Sequence, residues 1–108
     1  MSRPIVITDA TFPVEVERCP TPVLIGMWAS CCVHSAGMAD IVEALAAEMA
    51  GRVRVATLNV QDNPATVARF NVRGVPTLLA LHGGREIGRI VGPQPMYEVV
   101  RRLQTIFG

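Results

Sequence analysis

The sequence contains no lysine; all ten basic residues are arginine. Nine acidic residues offset them to a net charge of +1, and no block of like charge is longer than the pair Arg101-Arg102. That balance disfavours a nucleic-acid footprint and a polybasic membrane patch, so neither partner is expected. Long hydrophobic runs are also missing. The longest charge-free stretch lies between Arg18 and Asp40, and its apolar heart, Val23 to Val33, is too short to span a bilayer and is broken by Gly26 and Ser30. Met1 to Thr8 has one Arg and a three-residue apolar run, less than a secretory signal needs, so a cytosolic (cytoplasmic) protein is expected. Three cysteines are too few, and odd in number, for a disulfide scaffold. In a reducing compartment such cysteines are core residues, ligands or reactive thiols. What is abundant is apolar: 50% of the 108 residues, against 18% charged, which excludes a disordered chain. The length suits one domain, residues 1–108, with its own core, and a monomer is expected.

Strand-like and helix-like patterns alternate along the chain. Ile5 to Thr8 is a short β-prone run. Asp9 or Thr11 is positioned to cap a short helix with Pro13 in its first turn. Pro20 and Pro22 then forbid helix, and Val23 to Trp28 is a continuous apolar run, as in a buried central strand. From Val33 to Met49 the spacing of Ile41, Leu45 and Met49, widened by Val42 and Ala46, predicts an amphipathic helix ending near Gly51. Val53 to Val60 reads as a strand with Val53, Val55 and Thr57 on one face. Asn63-Pro64 predicts a helix start, with Asn as the cap and Val67 and Phe70 on the apolar side. Arg73 to Thr77 is a turn into the buried strand Leu78 to Leu81. His82-Gly83-Gly84-Arg85 is a hairpin turn, and Glu86 to Val91 is the return strand. The final helix carries Met96, Val99, Val100, Leu103 and Phe107. Alternation implies parallel crossovers and the short last turn implies an antiparallel hairpin, so the fold class is α/β: a mixed central sheet flanked by helices on both faces.

The chemistry concentrates in Trp28-Ala29-Ser30-Cys31-Cys32-Val33-His34-Ser35, which joins the end of a buried strand to the expected start of a helix. Unpaired helical N–H groups and the helix dipole stabilise a thiolate there, and a protonated His34 adds to that. Cys32 is the candidate nucleophile. Cys19, just before a strand, reads as structural, His82 as an exposed turn residue, and Gly83-Gly84 as a turn with no helix behind it to cradle phosphate.

These residues resemble those of the thioredoxin family over nearly the whole chain. Trp28-Ala29 match the Trp-Ala that precedes the family's Trp-Cys-Gly-Pro-Cys motif, Cys32 matches the attacking cysteine, and Val75-Pro76-Thr77 matches the cis-proline motif. Asn59, Asn63-Pro64, Phe70, Gly74, Gly84 and Gly92 fall where thioredoxins place such residues. The departures are specific. Ser35 stands in place of the second, resolving cysteine, giving a Cys-x-x-Ser motif. Cys31 replaces the second Trp, and Val33-His34 replaces Gly-Pro, which is closer to protein disulfide isomerases. Gly26 occupies the position of the family's buried, proton-moving Asp, Thr57 that of its Lys partner, and Asp40 that of a helix-kinking Pro. Both members of the buried pair are missing together, so no lone charge is left.

The resemblance implies a thioredoxin fold and a thiol–disulfide oxidoreductase of the protein-disulfide reductase or isomerase class. Cys32 attacks, His34 and the helix start stabilise its thiolate, and Ser35 hydrogen-bonds it. Trp28 and Cys31 border the site, while Gly74, Val75, Pro76 and Gly92 shape a groove that offers backbone to an extended substrate. A serine hydroxyl does not resolve a mixed disulfide, so release falls to glutathione or to a thiol on the substrate. Cys31 is a poor resolver because a disulfide between neighbours is strained. No cofactor is expected: Cys31, Cys32 and His34 do not fill a tetrahedral metal site by themselves. The implied partners are disulfide-containing proteins, glutathione and a reductase. Two other readings stay open. One is a redox-silent thioredoxin-fold binding module, and the other is a Cys-to-Ser trapping variant of a two-cysteine Cys-Val-His-Cys protein.

Overall fold

The structure, a computed structural model, describes residues 3–30 and 37–108. Its five strands are β1 (Ile5–Val6), β2 (Val23–Trp28), β3 (Arg54–Asn59), β4 (Thr77–His82) and β5 (Arg85–Val91). They form one sheet in the order β1-β3-β2-β4-β5. β1 and β2 both run parallel to β3, whereas β4 is antiparallel to β2 and β5 antiparallel to β4. The mixed sheet and antiparallel closing hairpin are those expected. Gly83 and Gly84 both have positive φ, 61° and 83°, the backbone of the two-residue hairpin turn that glycine permits.

β2 is central because nothing along it is polar: Val23 to Met27 are all fully buried. Its period-two alternation divides the interior. Leu24 joins Val55, Leu78 and Ala80 on one face, where they meet Met38, Val42, Leu45, Val99 and Leu103. Those partners come from α1 (Met38–Glu48) and α3 (Met96–Phe107). Val23, Ile25 and Met27 join Ala56, Leu58, Leu79 and Leu81 on the other face, with Phe12, Val16, Cys19 and Phe70. That second face is covered by a five-residue π-helical turn, Pro13–Glu17, and by α2 (Pro64–Arg69).

Val53 and Val55 lie together on the α1 face as expected, and Ala56 and Leu58 are fully buried on the other face as well, because β3 lies inside the sheet between β1 and β2. Two local expectations about caps are corrected. Neither Asp9 nor Thr11 caps the 13–17 turn, whose N-cap is Phe12 with no side-chain bond, although Pro13 does stand at its first position. Thr8 and Thr11 instead bond each other's backbone: the Thr11 N–H reaches Thr8 Oγ1 at 3.2 Å and the Thr8 N–H reaches Thr11 Oγ1 at 3.0 Å. Asn63 does not cap α2 with its side chain either. The cap is Asp9, from the other end of the chain. Its carboxylate accepts the N–H groups of Ala65 and Thr66 at 3.0 and 2.9 Å and the Thr66 hydroxyl at 2.7 Å. The long helix is described from Met38, so the expected stretch from Val33 to Ala36 lies outside the described residues.

Candidate functional site

Of the expected site residues, Cys31, Cys32, His34 and Ser35 lie outside the described residues; Trp28, Gly74, Val75, Pro76 and Gly92 lie within them. β2 delivers Trp28 at its C-terminal end, half-buried against the α1-face core. The antiparallel register pairs Met27 with Thr77, so Pro76 sits one position further along, beside Trp28. The Val75–Pro76 peptide bond is cis. Hydrogen bonds hold this corner: the Thr77 hydroxyl donates to the Gly74 carbonyl at 2.6 Å, and the Gly92 N–H donates to the Pro76 carbonyl at 2.8 Å. Gly92 has φ of +85°, a backbone only glycine takes without strain, so its presence lets β5 close on the proline loop. A small apolar hollow of about 100 Å3 lies here, lined by Ile41, Pro76, Gly92, Pro93 and Gln94 among others. A second depression, about 450 Å3, is lined by Trp28, with Thr57, Asn59, Asp62 and Val6 also in its wall. A larger one, about 590 Å3, opens between the C-terminal halves of α1 and α3 and contains none of the expected site residues.

Beneath this surface the position of the missing buried acid, Gly26, is closed. Gly26 pairs with Thr57 in the β2–β3 register. A Cβ built on Gly26 would fall 2.5 Å from Val42 Cγ1 and 2.8 Å from the Met38 sulfur. The space that an acid's side chain would occupy is filled by two apolar side chains of α1. No buried side-chain nitrogen or oxygen among the described residues lacks a partner.

The loops beside Trp28 carry a polar network that the sequence reading missed. The Ser30 N–H and hydroxyl both donate to Gln61 Oε1, at 3.0 and 2.8 Å. The Gln61 N–H donates to Asn59 Oδ1 at 2.9 Å. Asn63, only 5% exposed, donates through Nδ2 to the Asn59 carbonyl at 2.8 Å and accepts the Asp9 N–H at 2.8 Å. Burial works against the charge of Asp9, but the Thr66 hydroxyl and the N–H groups of Thr66 and Ala65 outweigh it and hold the carboxyl below its ordinary value of 3.8. The signal was the spacing Asn59-x-Gln61-x-Asn63, polar residues at alternate positions just past a buried strand. Cys19, by contrast, is buried as expected, its Sγ 3.4 Å from the Thr21 hydroxyl, and His82 is exposed.

A mixed five-stranded sheet, helices on both faces, and a cis-proline loop beside the end of the central strand define a thioredoxin fold. Comparison with known proteins agrees. The family model Thioredoxin matches residues 3–105. A thioredoxin of Haemophilus influenzae is 39% identical over 95 residues, covering 88% of this chain and 89% of its own. One from Alicyclobacillus acidocaldarius is 35% identical over 100 residues, 93% of this chain and 94% of its own. One from Mycobacterium bovis is 35% identical over 105 residues, 97% of this chain and 90% of its own. The chain belongs to the thioredoxin family and is a thioredoxin-like redox protein. Among the described residues no helix is long and apolar enough to cross a membrane, and no group of His, Cys, Asp or Glu is placed to hold a metal ion.

Proposed function

We propose that this protein is a thiol–disulfide oxidoreductase that works through one attacking thiol, Cys32, and leaves release to a second molecule. The carrying observation is the packing at Gly26. The attacking half of the site is kept: Trp28, the cis-proline loop and Gly92 are present beside the end of β2. The releasing half is missing twice. Ser35 replaces the resolving cysteine, and the position of the buried acid is filled by Met38 and Val42.

The chemistry balances without an internal second thiol. The Cys32 thiolate attacks one sulfur of a substrate disulfide, the S–S bond breaks, and the departing sulfur leaves as a thiolate that takes a proton from solvent. The Cys32–substrate disulfide then waits. If another thiol of the same substrate attacks the substrate sulfur, a new substrate disulfide forms, Cys32 is freed and no net electrons move: isomerisation. If glutathione attacks the Cys32 sulfur, the substrate leaves as a thiol. A second glutathione then frees Cys32 and carries the electrons away as glutathione disulfide. Extended protein segments with disulfides are the substrates, docking along Gly74, Val75, Pro76 and Gly92, with His34 and Ser35 supporting the thiolate and Cys31 at the rim. The domain acts in the cytoplasm, bound to no cofactor.

The test is the alkylation rate of each cysteine in the reduced protein against pH, resolved by peptide mapping. Cys32 is expected to react faster than Cys19 near neutral pH, with an apparent pKa well under the free-thiol value of about 8.5. A Cys32 that titrates as an ordinary thiol overturns the reading in favour of a redox-silent binding module, in which partner binding survives Cys32→Ser.

A further inference from the structure

We infer that Gln61 is a positioning residue for the Cys32 thiol, acting through Ser30. The inference rests on Cys32 being the attacking group.

Ser30 is the last described residue before the cysteines, one position before Cys31 and two before Cys32. Whatever anchors Ser30 fixes where the thiol-bearing segment leaves the sheet. Among the described residues, one side-chain oxygen holds it from across the fold. Gln61 Oε1 accepts both the backbone N–H and the hydroxyl of Ser30, at 3.0 and 2.8 Å, across a sequence separation of 31. Two donors from one residue converging on one acceptor restrict both the direction of the chain and the rotamer of the serine. One bond alone would leave either free.

The acceptor is itself aimed. The Gln61 N–H closes on Asn59 Oδ1 at 2.9 Å, which turns the chain just past β3. The Asn59 carbonyl accepts the side chain of buried Asn63, and Asn63 accepts the Asp9 N–H. The next link up the strands, Val60 N–H to the Trp28 carbonyl at 2.9 Å, extends the β2–β3 pairing to the residue before Gln61. The thiol segment therefore departs from a point tied through Gln61 and Asn59 to a buried amide in the protein's interior.

Energetics separate this role from a stabilising one. Ser30 and Gln61 are exposed, and water replaces a hydrogen bond there at little cost to folding. What water does not replace is direction. A geometry lost at the attacking sulfur appears in the rate of attack rather than in the stability of the fold.

The experiment follows reduced protein reacting with a small aromatic disulfide. The Cys32 thiolate joins one aryl sulfur and the other leaves as a coloured thiolate. Rates are taken across pH, with the adduct mapped to Cys32. Gln61→Met keeps length and removes the acceptor. It is expected to lower the plateau rate about fivefold to tenfold, the scale of one or two lost hydrogen bonds, with the urea unfolding midpoint unchanged. Gln61→Glu restores an acceptor oxygen and is expected to recover most of the plateau, while its charge moves the profile to higher pH. Ser30→Ala keeps the N–H bond alone and is expected to lose about twofold to threefold; it carries the same test should Gln61→Met fold poorly. Reactive Cys32 in the parent with unchanged plateaus in Gln61→Met and Ser30→Ala overturns this inference and leaves the function standing. A parent Cys32 no faster than Cys19 overturns the function, and this inference with it.

Discussion

Two regions on either side of Trp28 have been built from opposite materials. On the loop side, Ser30, Gln61, Asn59, Asn63 and Asp9 form a chain of hydrogen bonds running from the surface to a buried amide. On the floor side, Gly26 lies under Met38 and Val42 with no room for a single added carbon. A protein that moved protons from within would need polar groups in the floor. This one keeps its polar groups where they hold the backbone and packs the floor with hydrocarbon. The difference supports the proposed reading, in which the site places a thiol and leaves proton exchange to solvent and release to an outside thiol.

The comparison breaks most visibly at the floor. Gly26→Asp, which restores the acid that the family carries at this position, is expected to destabilise the fold by about 3 kcal/mol or more, because its side chain meets Val42 and Met38 and its charge finds no partner. Urea unfolding measures this. A variant as stable as the parent would mean that the floor opens readily and that the apolar packing has no functional meaning.

On the loop side, Asn63→Ala strands the Asp9 N–H and the Asn59 carbonyl in a buried place. The expected cost is about 1–3 kcal/mol, measured in the same way. Thiol reactivity should fall as well, since Asn59 and Gln61 lose their support. Stability lost without any change in the rate of Cys32 would separate the deep part of the network from the site.

A smaller effect is expected at Asp9. Asp9→Ala removes the cap of α2 and costs about 1 kcal/mol near neutral pH. Its folded pKa lies below 3.8, so its contribution is fully present above that ordinary value and is lost as pH falls through the lowered folded value. The stability gap between parent and Asp9→Ala should therefore close in acid. A gap that persists at the lowest accessible pH would show that the hydrogen bonds do not depend on the charge.

How far these regions could be read in the sequence differs for a physical reason. The floor was legible: the missing acid at Gly26 and the missing partner at Thr57 are single letters in a buried run, and burial follows from the run itself. So were the cis-proline corner, flagged by Val75-Pro76-Thr77, and the two-sided sheet, flagged by the continuous apolar runs of β2 and β4 and by the alternation of strands with helices. The loop network was not. Asn63 before Pro64 satisfies every local rule for a cap, yet Asp9 takes that role from 56 and 57 residues away, freeing Asn63 to join the loops. Ser30 and Gln61 are 31 apart, and neither carries a signal by itself. Local rules weigh neighbours in the chain; polar side chains choose neighbours in space.

The most direct test of the central claim is the lifetime of the Cys32 mixed disulfide. The reduced protein is mixed with a single-cysteine protein whose sulfur is held in a mixed disulfide with a small aromatic thiol, so that the adduct carries no substrate thiol. Excess reagent and the released aryl thiol are removed, and the adduct is followed by intact mass, with its site confirmed by mapping and by its loss in Cys32→Ala. The account predicts that the adduct forms at Cys32, persists while no thiol is present, and collapses on addition of glutathione. An adduct that resolves by itself without added thiol, or one that never forms at Cys32, would contradict it.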